Sequence, residues 1–127
     1  MEKYFHFDRF KTLEEIEGQD LGESNFNSYL VTTCQELRKK PISSFTVEDL
    51  RIMIGQNIGL NYLIPLALEI LEDNLFSQGD LYSGDLLNQV LKVSKDFWES
   101  NPKYKNDLID ILEKNIKDLA SKLHSFR

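Results

Sequence analysis

The stretch Asn61-Tyr62-Leu63-Ile64-Pro65-Leu66-Ala67-Leu68-Glu69-Ile70-Leu71-Glu72-Asp73 is apolar on almost every side of a helix until its last two turns. Such a helix belongs in the middle of a domain, covered by other elements on several sides. Pro65 fits it near the start, within about the first turn, or with a local kink. Its three acids fall at the C-terminal end, where the helix dipole disfavours them by a few tenths of a kcal/mol up to about 1 kcal/mol each. Something outside the helix is expected to compensate them.

The rest of the chain supplies the cover. Phe26, Leu30, Cys34 and Leu37 form an apolar stripe that predicts a helix from Phe26 to Lys39, ending at Pro41 with its basic residues at the negative dipole end. Thr46 caps a second helix in which Glu48 and Asp49 suit the positive end and Leu50, Met53 and Ile54 face inward. Gly55 and Gly59 mark a helix end and a short connection. From Asp85 to Trp98 the residues Leu86, Leu87, Val90, Leu91, Phe97 and Trp98 share one broad face, predicting a single amphipathic helix. Asn101-Pro102 reads as a cap followed by proline at the first helical position. The last helix then turns Leu108, Ile111, Leu112, Leu119 and Leu123 inward. Thr12 to Gly18 reads as one or two helical turns stopped by glycine. Tyr4, Phe5, Phe7 and Phe10 form an aromatic N-terminal arm. No alternating pattern is long enough for a sheet. The expectation is an all-α, compact bundle of about five to six helices in a single domain spanning 1–127, a size at which folding buries roughly two-thirds of the unfolded surface.

Charge is segregated along the chain. Thr12 to Leu37 holds Glu14, Glu15, Glu17, Asp20, Glu23 and Glu36, and Ile52 to Leu91 holds Glu69, Glu72, Asp73, Asp80 and Asp85, with no Lys, Arg or His in either window. The net charge is −6, and because all 15 Lys and Arg lie outside these windows, the remainder is basic. An acidic domain lacks the basic footprint that phosphates require, which argues against nucleic acid as a direct partner. A cationic partner is physically easier than nucleic acid, but by charge alone the acidic excess is explained first by solubility.

Catalytic signatures are missing: there is no Gly-rich phosphate loop, HExxH, GxSxG or GxGxxG. The stretch Gly79-Asp80-Leu81-Tyr82-Ser83-Gly84-Asp85-Leu86-Leu87 lacks the alternate oxygen ligands and closing glutamate of a calcium loop. With Cys34, His6 and His124 alone, neither a disulfide nor a structural zinc site is expected, and no cofactor is implied. Cys34 on its stripe reads as a small buried hydrophobe. No window approaches the ~18 apolar residues of a membrane span, and the start Met1-Glu2-Lys3-Tyr4-Phe5 lacks the pattern of an export signal. A cytoplasmic protein without membrane contact is expected.

Several ordered motifs carry a resemblance. They are Thr12-Leu13-Glu14-Glu15-Ile16-Glu17-Gly18, Ser28-Tyr29-Leu30-Val31, Lys40-Pro41, the run Phe45 to Arg51, Ile54-Gly55-Gln56, Gly59-Leu60, Tyr62 to Leu68, and Gly79 to Leu87. Over about residues 12–98 the chain resembles the contact-dependent growth inhibition (CDI) immunity proteins, in the helical family read by TVEDLRxxIxQxxGLxYLxPLAL followed by GDxYxGDLL. The resemblance implies a bacterial cytoplasmic inhibitor, not an enzyme, that binds the C-terminal toxin domain of a large secreted or cell-surface protein. Toxins of such systems are often nucleases, so the implied partner is a basic nuclease domain held in a 1:1 complex.

An acidic inhibitor can occupy a basic cleft as a phosphate mimic. Two candidate contact patches follow: Glu14, Glu15, Glu17, Asp20 and Glu23, and Glu69, Glu72, Asp73 and Asp80, with Tyr82 as an aromatic contact. Within GDLYSGDLL, Asp85 is assigned to the fold, with Ser83 or Asp85 serving the helix that follows. Asp80 and Tyr82 are the pair whose orientation decides their role. Two rival readings remain: a helical adaptor that docks another protein through its exposed aromatics, and a small enzyme using a carboxylate pair.

Overall fold

The computed structural model of the chain describes residues 7–18 and 28–127. These residues form α1 (Leu13–Glu17), α2 (Tyr29–Arg38), α3 (Val47–Gly55), α4 (Leu60–Asp73), α5 (Asp85–Leu91), α6 (Lys95–Ser100) and α7 (Pro102–Phe126), with one 3-10 turn at Ile42–Ser44. Among the described residues there is no strand, and five of the seven helices reach seven residues or more. The all-α expectation holds, with more helices than the sequence suggested because one expected helix is two.

Helix α4 sits where its sequence demands. Leu63, Ile64, Pro65, Leu66, Ala67, Leu68 and Leu71 are buried, and α3, α5 and α7 pack against it. Each fully buried leucine or isoleucine there contributes about 1.5–3 kcal/mol. Pro65 lies at the sixth helical position rather than in the first turn. The carbonyl it cannot serve belongs to Asn61, an exposed residue close to the helix start, where water can reach it.

Local start signals translate directly. Thr12 Oγ1 accepts the Glu15 N–H at 3.1 Å while the Glu15 carboxylate accepts the Thr12 N–H at 3.0 Å, and α1 stops at Gly18. Thr46 and Asp49 make the same reciprocal pair at the head of α3. Leu13 is wholly buried and anchors the short α1 to the core. Helix α2 is described from Tyr29 onward, capped by Ser28, and the Phe26 start lies outside the described residues. Cys34 and Leu37 are buried as expected, whereas Leu30 is partly exposed.

Three expectations need correction. The helix expected from Asp85 to Trp98 is broken at Lys92–Ser94: the Ser94 hydroxyl accepts the Phe97 N–H at 3.3 Å and starts α6, so Leu91 points to solvent. Phe97 and Trp98 pack edge to face at 5.2 Å, with Trp98 Nε1 donating to the Val93 carbonyl. Asn101 is the residue before α7, but its side chain donates to the Phe97 carbonyl at 2.9 Å, closing α6 instead of capping α7. Finally, Leu119 and Leu123 of α7 are 69% and 51% exposed, because α4 and α6 cover only the first part of this long helix, through Tyr104, Leu108 and Ile111. Replacing both Leu119 and Leu123 with glutamine is accordingly expected to move the urea unfolding free energy by no more than about 0.5 kcal/mol, against the several kcal/mol that two core leucines cost.

The aromatic arm is described from Phe7. Its ring meets Tyr62 edge-on at 5.1 Å, while Phe10 is exposed. Tyr4, Phe5 and His6 lie outside the described residues.

Candidate functional site

Asp85, at the first position of α5, is 1% exposed. One carboxylate oxygen accepts the Gly79 N–H at 2.7 Å, and the other accepts the N–H groups of Leu81 at 3.0 Å and Tyr82 at 3.4 Å. Burial pushes its pKa up, but these accepted hydrogen bonds outweigh it and hold the carboxyl below its ordinary value. Arg51 Nε stands 3.8 Å from the same carboxylate and donates to Glu48 at 2.7 Å, with a second short bond from Arg51 Nη2 to Glu48 Oε2. Glu48 also accepts the Asp80 N–H at 2.9 Å, so it clamps the loop from the α3 side. Its carboxyl is held below the usual range, chiefly by the Arg51 hydrogen bond.

The glycines of this loop follow from that clamp. A Cβ on Gly79 would stand 2.6 Å from Glu48 Oε1 and 3.2 Å from the Glu48 Cα, so any side chain there would displace the Glu48 carboxylate from the clamp. Gly84 has φ +89°, a left-handed conformation that costs other residues. Asp80 is exposed, and Tyr82 is 47% exposed with its hydroxyl accepting from Asn88 at 2.6 Å. Both outward-facing side chains are thus available to a partner, while Asp85 belongs to the fold. Further motif residues are structural: Lys40 Nζ reaches Asp49 at 2.6 Å, joining the Lys40-Pro41 motif to the head of α3.

The acids of the first candidate patch are divided. Glu15 is occupied in its capping box, Glu17 accepts from Arg38 Nη1 at 2.7 Å, and Glu14 is half-buried. Asp20 and Glu23 lie outside the described residues. In the second patch, Glu69 is paired with Arg9 at 3.7 Å, an answer to the unfavourable dipole position. Glu72 and Asp73 are exposed at the end of α4, whose last turn has no basic residue.

Packing of α4 on α7 brings Glu72 together with Asp107 and Asp110 around a small cleft of about 90 Å³ that Lys114 also lines. Asp107 is engaged by Lys103 at 3.0 Å. Asp107 and Asp110 do not stand out in the sequence because α7 as a whole alternates acids with lysines. The usable signal was their i, i+3 spacing beside the inward-facing Ile111, which sets them at the edge of the buried face. Arg38 was missed for a similar reason. It stands four residues after Cys34 on the apolar stripe, and its side chain is only 8% exposed.

Cys34 is buried, and burial raises its thiol pKa, so it is protonated and not poised as a nucleophile. Among the described residues no group of three or more His, Cys, Asp or Glu is arranged to hold a metal ion, and His124 is exposed.

A family model described as CDI immunity proteins matches residues 15–108, well over half of the chain. The chain belongs to the CDI immunity proteins. The immunity protein binds and neutralises a CDI toxin, and its family consists of inhibitors, not enzymes. The match runs from the middle of α1 into the second turn of α7, beyond the 12–98 span of the resemblance, and so includes the whole clamp and, of the acidic cleft, Glu72 and Asp107 but not Asp110. No curated protein and no solved structure matches the immunity protein. Among its described residues no helix is long and apolar enough to cross a membrane.

Proposed function

We propose that the protein neutralises a nuclease toxin by laying acidic surface over the toxin's basic active-site region. The observation that carries this reading is the convergence of Glu72, Asp107 and Asp110 on one cleft, with Asp73 exposed beside Glu72 on α4, in a chain of net charge −6. Carboxylates presented in this way stand in for the phosphates that a nuclease cleft attracts. Asp80 and Tyr82 extend the contact, and from the first patch Glu14 is the acid with neither a capping nor a pairing role among the described contacts. The toxin domain is held 1:1 in the cytoplasm of the protected cell by the single 127-residue domain.

Opposed charge steers capture as well as holding the complex. In stopped-flow mixing with the cognate toxin domain, the association rate constant is expected to approach about 10⁸ M⁻¹s⁻¹ at low salt and to fall steeply as ionic strength rises. An association rate indifferent to salt, or a bound toxin that still cleaves nucleic acid, would refute the acidic-cover reading.

A further inference from the structure

A second pocket, of about 260 Å³, opens against α2 and the end of α3 and has an apolar wall formed by Leu30, Val31, Cys34 and Ile58. Arg38 completes the wall, although it is more than nine-tenths buried. Its Nη1 is spent on Glu17, but among the described residues Nε and Nη2 find no hydrogen-bond partner. Buried donors left unpaired in this way are destabilising until something accepts from them. The two free groups are also a matched pair, since Nε–H and Nη2–H lie along one edge of the guanidinium and point the same way. That edge is the side-on fork that takes both oxygens of one carboxylate. Glu17 on Nη1 leaves the fork whole. Leu30 and Val31 of the wall reach the surface.

We propose that this pocket receives a carboxylate side chain of the bound toxin, which fills the Nε/Nη2 fork of Arg38 while its aliphatic stem packs on Leu30, Val31 and Ile58. The assignment of the toxin as the source rests on the immunity reading; the carboxylate chemistry of the pocket does not. A buried fork beside an apolar wall, with Gln35 and Gln56 completing the lining, is a docking contact of the kind that dominates interfaces, because water is excluded from the charge pair once it forms. It also complements the acidic cleft. A toxin that is basic at its active site and offers one acid here is read in both signs, which fixes its orientation.

Two measurements on the full chain test this. In the first, sodium butanoate and butanamide are titrated into the isotope-labelled protein while the Arg38 Nε–H resonance is followed. Butanoate is expected to saturate with a dissociation constant of about 1 mM, a fair affinity for so small a ligand, with butanamide at least tenfold weaker. Arg38→Lys, which keeps a cation for Glu17 but has no fork, is expected to lose the butanoate response at Val31 and Ile58. No saturation, or equal responses to acid and amide, overturns the pocket. In the second, Val31→Trp fills the pocket from a partly exposed position, and is expected to weaken toxin binding at least tenfold while leaving the thermal midpoint unchanged. Unchanged toxin affinity in that variant overturns the toxin as the source of the carboxylate. A wild-type chain that binds butanoate but no toxin domain overturns the immunity reading and the toxin as source together, with the carboxylate pocket standing.

Discussion

Replacing Asp85 with alanine is expected to lower the unfolding free energy by about 3–5 kcal/mol, among the largest effects available to a single substitution in this chain. The change removes the acceptor of three backbone N–H groups, those of Gly79, Leu81 and Tyr82, and each buried donor left unpaired costs about 1–3 kcal/mol. It also takes a counter-charge from the largely buried Arg51. Asparagine keeps one carbonyl oxygen but turns an NH2 group toward backbone donors, and should fall between alanine and wild type. The pH dependence has a definite sign. Because the folded pKa of Asp85 is depressed, its stabilisation is fully present above the ordinary carboxylate value of about 3.9 and is lost as pH falls through the folded pKa. Glu48 acts in the same direction. Wild type should therefore lose stability in acid more steeply than Asp85→Asn, measured by urea unfolding at stepped pH. Parallel acid profiles for the two proteins would show that the carboxylate does not hold the loop.

Reversing Glu72 and Asp110 to lysine together should slow toxin association about tenfold to a hundredfold at low salt and flatten its salt dependence, with a smaller effect on dissociation. Both residues are exposed, so the variant should stay within about 0.5 kcal/mol of wild-type stability. The matched control is reversal of Asp96 and Glu99 on α6, which carries equal charge change away from the cleft and should cost much less. If both double reversals slow capture equally, net charge and not the cleft governs steering. Reversal of Glu17 is a poor probe of contact, because it would strand the buried Arg38.

What could be read from the sequence was largely what neighbours along the chain decide. The Thr46 cap, the stop at Gly18 and the all-round apolar α4 depend on residues within a few positions, and each is found where the sequence places it. The break at Ser94 was hidden because an apolar face continues across it, and periodicity alone does not mark where one helix ends and the next is capped. Leu119 and Leu123 show a different limit: spacing reveals that a helix has an apolar side, but not whether the chain supplies anything to cover it. The clamp was out of reach for a third reason. Glu48 and Asp80 are 32 positions apart, and nothing local marks Asp85 as a buried carboxylate. The candidate cleft failed in the same way, since charge counted in windows along the chain cannot report that Glu72 is folded against Asp107 and Asp110. Membership in the CDI immunity proteins was nevertheless legible, because the ordered motifs are carried by the clamp and by α4.

The clamp also sets how the native state opens. The amides of Gly79, Leu81 and Tyr82 share one acceptor, and that acceptor is tied through Arg51 and Glu48 to α3. Neither segment can loosen alone without stranding charge or donors on the other, so the loop and α3 form one cooperative unit of local unfolding. The slow exchange of three loop amides would then report the integrity of a helix whose clamping Glu48 lies 32 residues before Asp80 in the chain.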